Sequence, residues 1–331
     1  MNDRAVSLFD NYELEIVRTW KGRGAILCES DKGLFILKEY NGPANKILFH
    51  DTLLKHIKDA GFPLSETILR TREDEMIVYD QDRVPYIVKS YFEGKECNNR
   101  EPEECKQAVQ ILAQLHNCSD LSAWEGLSSQ PVFNIEKEYE KHNRELKKVR
   151  RFLREKSQKT AFEIYLMEHY DYFLDTALQV TSEMRDYLHD ENMEKSEKFP
   201  IVSHGDYQYH NIIQTVGGIA LINFEKCVRD NPMRDLYLFM RKLLEKNNWS
   251  QTLGDALLCA YDSKRTLTAK DYEQLYYRFA YPEKFWKIAN FYYNSGKAWI
   301  PGRNMDKLER LLTQENAKKD FLSAILARTT G

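Results

Sequence analysis

The chain has 331 residues, which is enough for two domains or for one large two-lobed unit with a substantial core. Hydrophobic residues make up 42% and charged residues 30%, a globular composition that excludes wholesale disorder. The net charge of -3 gives no overall attraction to nucleic acid or to an anionic membrane, and no apolar stretch is long enough to span a bilayer.

The N-terminus and the cysteines indicate the compartment in which the chain is made. Residues 1–10 carry charges at Asp3, Arg4 and Asp10 and lack a long apolar core, so they do not form a secretory signal. The six cysteines contain no C-x-x-C pair, which favours reduced, mostly buried thiols over a zinc site or a disulfide framework. We therefore expect a cytoplasmic protein at the time of synthesis.

The N-terminal part of the chain alternates strand and turn patterns. Residues 12–40 predict three strands, with turns at 21–24 and 31–33 and with Lys38 at the end of the third strand. Apolar residues then recur at helical spacing from Pro43 to Gly61, at positions that include Leu48. Two further strands are predicted around 76–79 and 86–92, followed by a hinge at Glu93-Gly94. This order predicts a lobe of residues 1–92 with five antiparallel strands and one helix.

The remainder, residues 93–331, predicts a mainly helical lobe. Amphipathic patterns indicate helices over 105–115, 136–159 (with Tyr139, Leu146, Val149 and Phe152 on one apolar face) and 161–188. For the aromatic-rich region 279–299 a buried helix is favoured, and the lining of a substrate pocket is the alternative. The acidic stretch 190–198 predicts a surface loop. Residues 141–159 are markedly basic; a solvated helix face is favoured there, and a binding site for an acidic partner or a phosphorylated ligand is the alternative.

The strongest chemical signal lies in the segment from 201 to 225. A short apolar strand runs into His204-Gly205-Asp206, and Asn211 follows Asp206 by five residues. A Gly217-Gly218 turn between two β-rich runs predicts a hairpin that places Asn211 opposite Asn223. A loop carboxylate can accept the proton of an attacking hydroxyl, while oxygen ligands at both ends of the hairpin can hold magnesium. The pattern therefore indicates phosphoryl transfer.

The motif H-G-D-x-x-x-x-N resembles the catalytic loop of the aminoglycoside phosphotransferase and choline-kinase-like group. Within that group the chain is most similar to the CotS-like spore coat proteins. Further segments carry this resemblance over residues 12–300: Gly-Arg-Gly-Ala at 22–25, Leu-Leu before Gly61-Phe62, Leu-Ala-Gln-Leu-His at 112–116, Pro-Met-Arg-Asp-Leu at 232–236, and Tyr-Pro-Glu-Lys-Phe-Trp at 281–286.

The resemblance implies an α+β fold of the protein-kinase-like type, with a small antiparallel-sheet N-lobe, a mainly helical C-lobe, and ATP and Mg²⁺ in the cleft between them. It implies that Asp206 is the catalytic base or orients the acceptor hydroxyl. It implies that Lys38 contacts the nucleotide phosphates and that Gly22 and Gly24 form a lid over them. His204, grouped with the catalytic residues, is expected to brace the loop, and Asp235 is expected to support it from below.

Two positions depart from the family pattern and leave two functions open. The implied metal ligands are Asn211, Asn223 and Glu225, but active members carry Asp where this chain has Asn223. An amide brings no charge to magnesium, so a loss of a few kcal/mol, or roughly 10²-fold in rate, is expected unless Glu225, on the same strand face, reaches inward. No Glu lies between residues 40 and 65 to orient Lys38, which leaves Asp51 as a candidate partner.

The first function is ATP-dependent phosphoryl transfer to an unidentified hydroxyl acceptor, which is a small molecule or a protein. The alternative is a catalytically impaired pseudokinase that acts as a binding or assembly component of the spore coat. The resemblance implies a spore coat location with other coat proteins as partners, and we expect no nucleic-acid partner and no membrane span.

Overall fold

The computed structural model describes residues 3–22, 24–126, 130–189, 201–295 and 301–329. The chain forms two compact units, each assembled from several segments. The first comprises Met1–Pro131, Pro200–Phe239 and Ala260–Arg265; the second comprises Val132–Phe199, Met240–Cys259 and Thr266–Gly331. The boundary expected between residues 92 and 93 stays a prediction.

The first unit contains an antiparallel sheet of six strands among the described residues. Its strands are β1 (Ile16–Gly22), β2 (Ala25–Ser30), β3 (Gly33–Glu39), β4 (Ile68–Leu69), β5 (Val78–Tyr79) and β6 (Pro85–Ser90). The order is β1-β2-β3-β6-β4, and β5 also pairs with β6. This confirms the predicted antiparallel sheet. The additional strand β4 has only two residues, too few to give an alternating pattern in the sequence.

Helices pack around this sheet. An N-terminal 3-10 helix, Asp3–Asn11, buries Ala5, Leu8 and Phe9 in one cluster with side chains from β2, β3 and β6. The predicted helix after Pro43 is α1 (Ala44–Asp59). The prediction that Leu48 lies on its apolar face is wrong, because 51% of Leu48 is exposed.

The same unit contains α2 (Pro102–Cys118) and five short strands, four of which lie between Val202 and Arg229. These are β7 (Lys95–Glu96), β8 (Val202–Ser203), β9 (Ile212–Thr215), β10 (Gly218–Leu221) and β11 (Val228–Arg229). Strands β9 and β10 form the predicted hairpin, with Ile212 opposite Leu221, and β7 adds to its outer edge at β9. Strand β8 pairs with β11.

Two further helices are α6 (Met233–Lys246) and α7 (Gln251–Asp262), and the second unit contains the others. These others are α3 (Ile135–Glu155), α4 (Ala161–Glu168), α5 (Tyr170–Leu188), α8 (Ala269–Ala280), α9 (Glu283–Asn294), α10 (Pro301–Thr313) and α11 (Glu315–Ala327). Their core is rich in aromatic rings, among them Tyr170, Phe173 and Phe285.

Several boundary predictions in the second unit need correction. The stretch 161–188 contains two helices, α4 and α5, which meet at His169. The single helix expected over 279–299 is wrong, because Pro282 begins a new helix, α9, and residues 296–299 lie outside the described residues. Phe152 is 41% exposed, so its predicted place on the apolar face of α3 is wrong, whereas Tyr139, Leu146 and Val149 on that face are buried. The loop predicted at 190–198 also lies outside the described residues.

The described ranges contain all six cysteines, and none of them is disulfide-bonded. Within the same ranges, no helix has the length and apolar character that crossing a bilayer requires.

Candidate functional site

The His-Gly-Asp loop follows β8 and is held by a buried carboxylate. Asp235, in the first turn of α6, accepts hydrogen bonds from the backbone N–H of His204 at 2.6 Å and of Gly205 at 2.9 Å. Burial raises the pKa of the Asp235 carboxyl, but the hydrogen bond from His116 and nearby positive groups outweigh burial and lower the pKa. Gly205 has φ +79°, and a Cβ there would lie 2.0 Å from the Lys226 carbonyl oxygen, so the loop requires glycine.

His204 connects this loop to the hairpin. Its ring is fully buried, and its Nδ1 accepts a hydrogen bond from the N–H of Asp206 at 3.2 Å. Its Nε2 lies 3.0 Å from the carbonyl oxygen of Ile222, to which it donates. The two bonds together select one neutral tautomer. Both nitrogens serve the fold, so the arrangement suits a positioning residue.

Asp206 presents a partly buried carboxylate on the braced loop. Its Oδ1 accepts from the Gln208 amide at 2.5 Å, and its Oδ2 lies 2.9 Å from the Lys226 ammonium. The Lys226 side chain is 68% exposed, so this ion pair is one that solvent weakens. A carboxylate in this position can orient a hydroxyl and accept its proton.

A chain of hydrogen bonds then joins the loop to the far end of the hairpin. The Asn211 amide nitrogen donates to the Asp206 carbonyl oxygen at 2.8 Å, and the Asn211 side-chain oxygen accepts from the Asn223 amide at 2.8 Å. The prediction that the hairpin brings residues 211 and 223 together is therefore confirmed. Asn223 itself has φ +67° and precedes a 3-10 helix, Phe224–Lys226. The strand face predicted to hold both Asn223 and Glu225 is thus wrong.

Lys38 on β3 reaches this end of the hairpin. Its ammonium lies 3.2 Å from the Asn223 side-chain oxygen and 3.2 Å from Glu225 Oε1. Glu225 therefore does reach inward, as one expectation required. Asp51 does not serve as the partner of Lys38, because its carboxylate binds the Arg70 guanidinium at 2.9 Å. The acidic partner comes from the hairpin instead of from α1.

A second lysine completes the cluster, and the sequence reasoning missed it. Lys89 on β6 is 1% exposed, and its ammonium donates to Glu66 Oε2 at 2.8 Å and to Glu225 Oε1 at 2.6 Å. It also lies 3.5 Å from the Asn223 oxygen. The signal in the sequence was a charged residue inside an apolar strand, since ionised side chains are almost never buried without a partner.

Glu66 anchors the segment that begins at Asn223. Its carboxylate is buried and accepts hydrogen bonds from the backbone N–H of Asn223 at 2.8 Å and of Phe224 at 2.9 Å. The Nε2 atom of His50 lies 3.2 Å from Glu66 Oε1. Because a buried carboxylate with several donors has little freedom, Glu66 fixes the left-handed backbone at residue 223.

The electrostatics of the cluster favour the charged form of each group. Burial raises the pKa of Glu66, but the Lys89 ammonium and His50 more than offset burial and hold the pKa far below its ordinary value. Burial likewise raises the pKa of Glu225, and Lys89 and Lys38 reverse this. Burial lowers the pKa of Lys89, but the two carboxylates raise it above the ordinary value. Two ammonium groups therefore balance two carboxylates.

The residues assigned to magnesium do not fit that ion in this arrangement. The Asn211 oxygen accepts from Asn223, the Asn223 oxygen faces the ammonium groups of Lys38 and Lys89, and the Glu225 carboxylate pairs with both lysines. Magnesium requires octahedral oxygen ligands, preferably anionic, at roughly 2.0–2.1 Å. In the part of the chain that the structure describes, no group of three or more His, Cys, Asp or Glu residues could hold a metal ion.

Gly22, the last residue of β1, lies in the same row of the sheet as Lys38, whereas Gly24 lies in the turn that follows. Gly22 pairs with Ala25, and Ala25 pairs with Lys38. Gly24 has φ +68° and no atom within 4 Å of a Cβ built on it. The role of this turn as a phosphate lid stays a prediction.

Comparison with known proteins identifies the group to which the chain is related. A family model described as "Spore coat putative kinase YutH" matches residues 5–325. The chain belongs to this YutH spore coat family. Among curated proteins, it is 25% identical to spore coat protein S of Bacillus subtilis (strain 168) over 319 residues, which is 92% of this chain and 87% of that protein.

Solved structures show that this family member has the aminoglycoside-phosphotransferase fold. The aminoglycoside phosphotransferase of Alicyclobacillus acidocaldarius matches with a TM-score of 0.80 and 20% identity, over 97% of this chain and 95% of that one. A spectinomycin phosphotransferase solved with ADP and spectinomycin matches with a TM-score of 0.58 and 14% identity, over 98% and 96%. At such identities the comparisons show the fold alone. They confirm the protein-kinase-like α+β fold expected from the sequence.

Proposed function

We propose that this protein is a nucleotide-binding, kinase-fold component of the spore coat in which magnesium-dependent phosphoryl transfer is impaired. The observation that carries the proposal is the environment of Asn223. A neutral amide stands where active members of the resembled group have Asp, and its oxygen faces two ammonium groups. Without that anionic ligand, the charge that develops on the transferred phosphoryl group loses a few kcal/mol of stabilisation, or about 10²-fold in rate.

Binding of ATP or ADP is supported by Lys38 and the glycine turn. The Lys38 side chain is 35% exposed, and its ammonium group can bind a phosphate. Gly22 lies in the same row of the sheet as Lys38, with Ala25 between them, and Gly24 lies in the turn that joins β1 to β2. The spectinomycin phosphotransferase of the same fold was solved with ADP.

A location in the spore coat, with other coat proteins as partners, is supported by the family and by the relative named spore coat protein S. Binding rather than turnover suits an assembly component, because a coat protein needs stable contacts with its neighbours.

The second candidate is ATP-dependent phosphoryl transfer to an unidentified hydroxyl acceptor. The observation that favours it is the loop itself. Asp235 still braces the backbone at Gly205, and the Asp206 carboxylate is still presented on that loop with 18% of its side chain exposed. A protein that had lost every catalytic constraint would not need this geometry.

Release of inorganic phosphate from ATP, with water as the acceptor, separates the two candidates. The proteins to compare are the wild type, Asn223→Asp, Asp206→Asn and the double variant Asn223→Asp/Asp206→Asn. We expect the wild-type rate to be about 10²-fold below that of Asn223→Asp, and the double variant to return to the wild-type rate. Wild-type turnover as fast as that of Asn223→Asp, and abolished by Asp206→Asn alone, would refute impairment and establish the second candidate.

A further inference from the structure

We propose that the Lys89 ammonium supplies the positive charge that a divalent cation supplies in a metal-dependent phosphate site, so that this protein binds nucleotide phosphates through Lys38 without magnesium. The inference rests on the proposed nucleotide binding and adds the form in which the ligand binds: the metal-free nucleotide anion.

The Lys89 ammonium lies at the far end of the hairpin, where it bridges Glu66 Oε2 and Glu225 Oε1 and lies 3.5 Å from the Asn223 oxygen. It therefore contacts Asn223 and Glu225, two of the three side chains assigned to magnesium. A cation fixed by the fold at this place competes with any soluble cation for the same oxygens.

The charged groups of the cluster balance one another. Lys38 and Lys89 contribute two positive charges, and Glu66 and Glu225 contribute two negative charges, so the formal sum is zero. With Asp at position 223 the sum would be -1, and an added cation would be attracted. With Asn at this position the lysine balances the carboxylates, so these side chains carry no net negative charge that would attract magnesium. The neutral Asn223 and the cationic Lys89 together keep the formal charge of the cluster at zero.

Lys38 is more accessible than Lys89. Glu225 Oε1 lies 2.6 Å from the Lys89 nitrogen but 3.2 Å from the Lys38 nitrogen, so the buried lysine is its closer partner. Lys38 is 35% exposed, whereas Lys89 is 1% exposed. Lys89 therefore neutralises the carboxylate from within, and Lys38 can turn to an incoming phosphate without leaving Glu225 unpaired.

The test measures the Kd of ATP by calorimetry in buffer with either magnesium chloride or EDTA. Four proteins are compared: the wild type, Asn223→Asp, Lys89→Met and Lys55→Met. Asn223→Asp and Lys89→Met each lower the formal charge of the cluster by one unit. Lys55→Met also removes one lysine from the same unit of the chain, but Lys55 is a 62% exposed residue that pairs with Asp51.

We expect the wild type and Lys55→Met to bind ATP equally well in both buffers, within about threefold. Asn223→Asp and Lys89→Met should bind at least about tenfold more tightly with magnesium than with EDTA, which is about 1.4 kcal/mol. If circular dichroism shows that Lys89→Met does not fold, Asn223→Asp carries the test, because it removes no buried cation.

Two outcomes overturn the inference, and they are distinguishable from each other. If EDTA weakens wild-type binding about tenfold or more, or if Asn223→Asp binds equally in both buffers, the lysine does not replace the metal, while nucleotide binding stands. If the wild type binds ATP in neither buffer, the proposed function fails, and this inference fails with it.

Discussion

Replacing Lys89 with Met should destabilise the protein strongly. Methionine keeps the length of the side chain but removes the ammonium, so Glu66 loses its only ammonium partner among those described and Glu225 keeps only Lys38. Removing one member of a buried ion pair costs about 3–5 kcal/mol. Because Glu66 retains His50 and two backbone donors, we expect a loss near the lower end, about 3 kcal/mol.

Glu66→Gln and the double variant Lys89→Met/Glu66→Gln complete a thermodynamic cycle. The double variant removes one charge of each sign, so it should lose less stability than the sum of the two single variants, by at least about 1.5 kcal/mol. Urea unfolding followed by circular dichroism measures each change, using midpoints and a shared m-value.

Lys55→Met is the matched control, since it removes a lysine that is 62% exposed and whose partner, Asp51, keeps the Arg70 guanidinium. Its expected cost is below about 1 kcal/mol. The reasoning is refuted if Lys89→Met also costs less than about 1 kcal/mol, or if the losses of the two single variants at positions 66 and 89 simply add.

Three further predictions concern the loop and the second unit. Gly205→Ala should cost more than about 3 kcal/mol in urea unfolding, since its Cβ meets the Lys226 carbonyl, while Gly61→Ala, also at positive φ but in open space, should cost only about 1 kcal/mol. Asp235→Asn should cost about 1–3 kcal/mol, because an amide leaves one loop N–H unsatisfied; an unchanged unfolding midpoint would contradict the brace. Burial lowers the pKa of His142 to about 4, so the neutral ring is favoured in the folded protein. Its contribution to the free energy of unfolding is therefore complete above pH 6.5 and is lost as the pH falls towards 4. Between pH 7 and 5 the wild type should lose about 1–2 kcal/mol, after allowance for solvent screening, that His142→Phe does not lose; parallel pH profiles would contradict this.

The sequence was sufficient for the features that depend on near neighbours along the chain. The hairpin that joins Asn211 to Asn223 followed from two short apolar runs and a glycine turn, because such a turn allows few antiparallel registers. The spacing of His204, Asp206 and Asn211 identified the loop for the same reason. The family resemblance then supplied the fold, which the structural comparisons confirm.

The misses share a cause. Asp51 was considered as a partner for Lys38 because it lies on the expected helix, but Arg70 takes its carboxylate. The strand assumed at Asn223 gave way to a left-handed residue because Glu66, fixed elsewhere in the fold, binds the two N–H groups there. Helical periodicity placed Phe152 on the apolar face of α3, whereas packing selected Leu153.

The sequence by itself determined the catalytic-type loop, the hairpin and the neutral residue at position 223. Only the tertiary structure decided which charges surround that residue. Lys89 and Glu225 are 136 positions apart in the chain, and their ion pair exists because folding brings β6 next to the 3-10 helix that follows the hairpin. Local propensity does not encode such a contact, since the free energy that keeps a buried ammonium charged comes from the partners that folding brings to it.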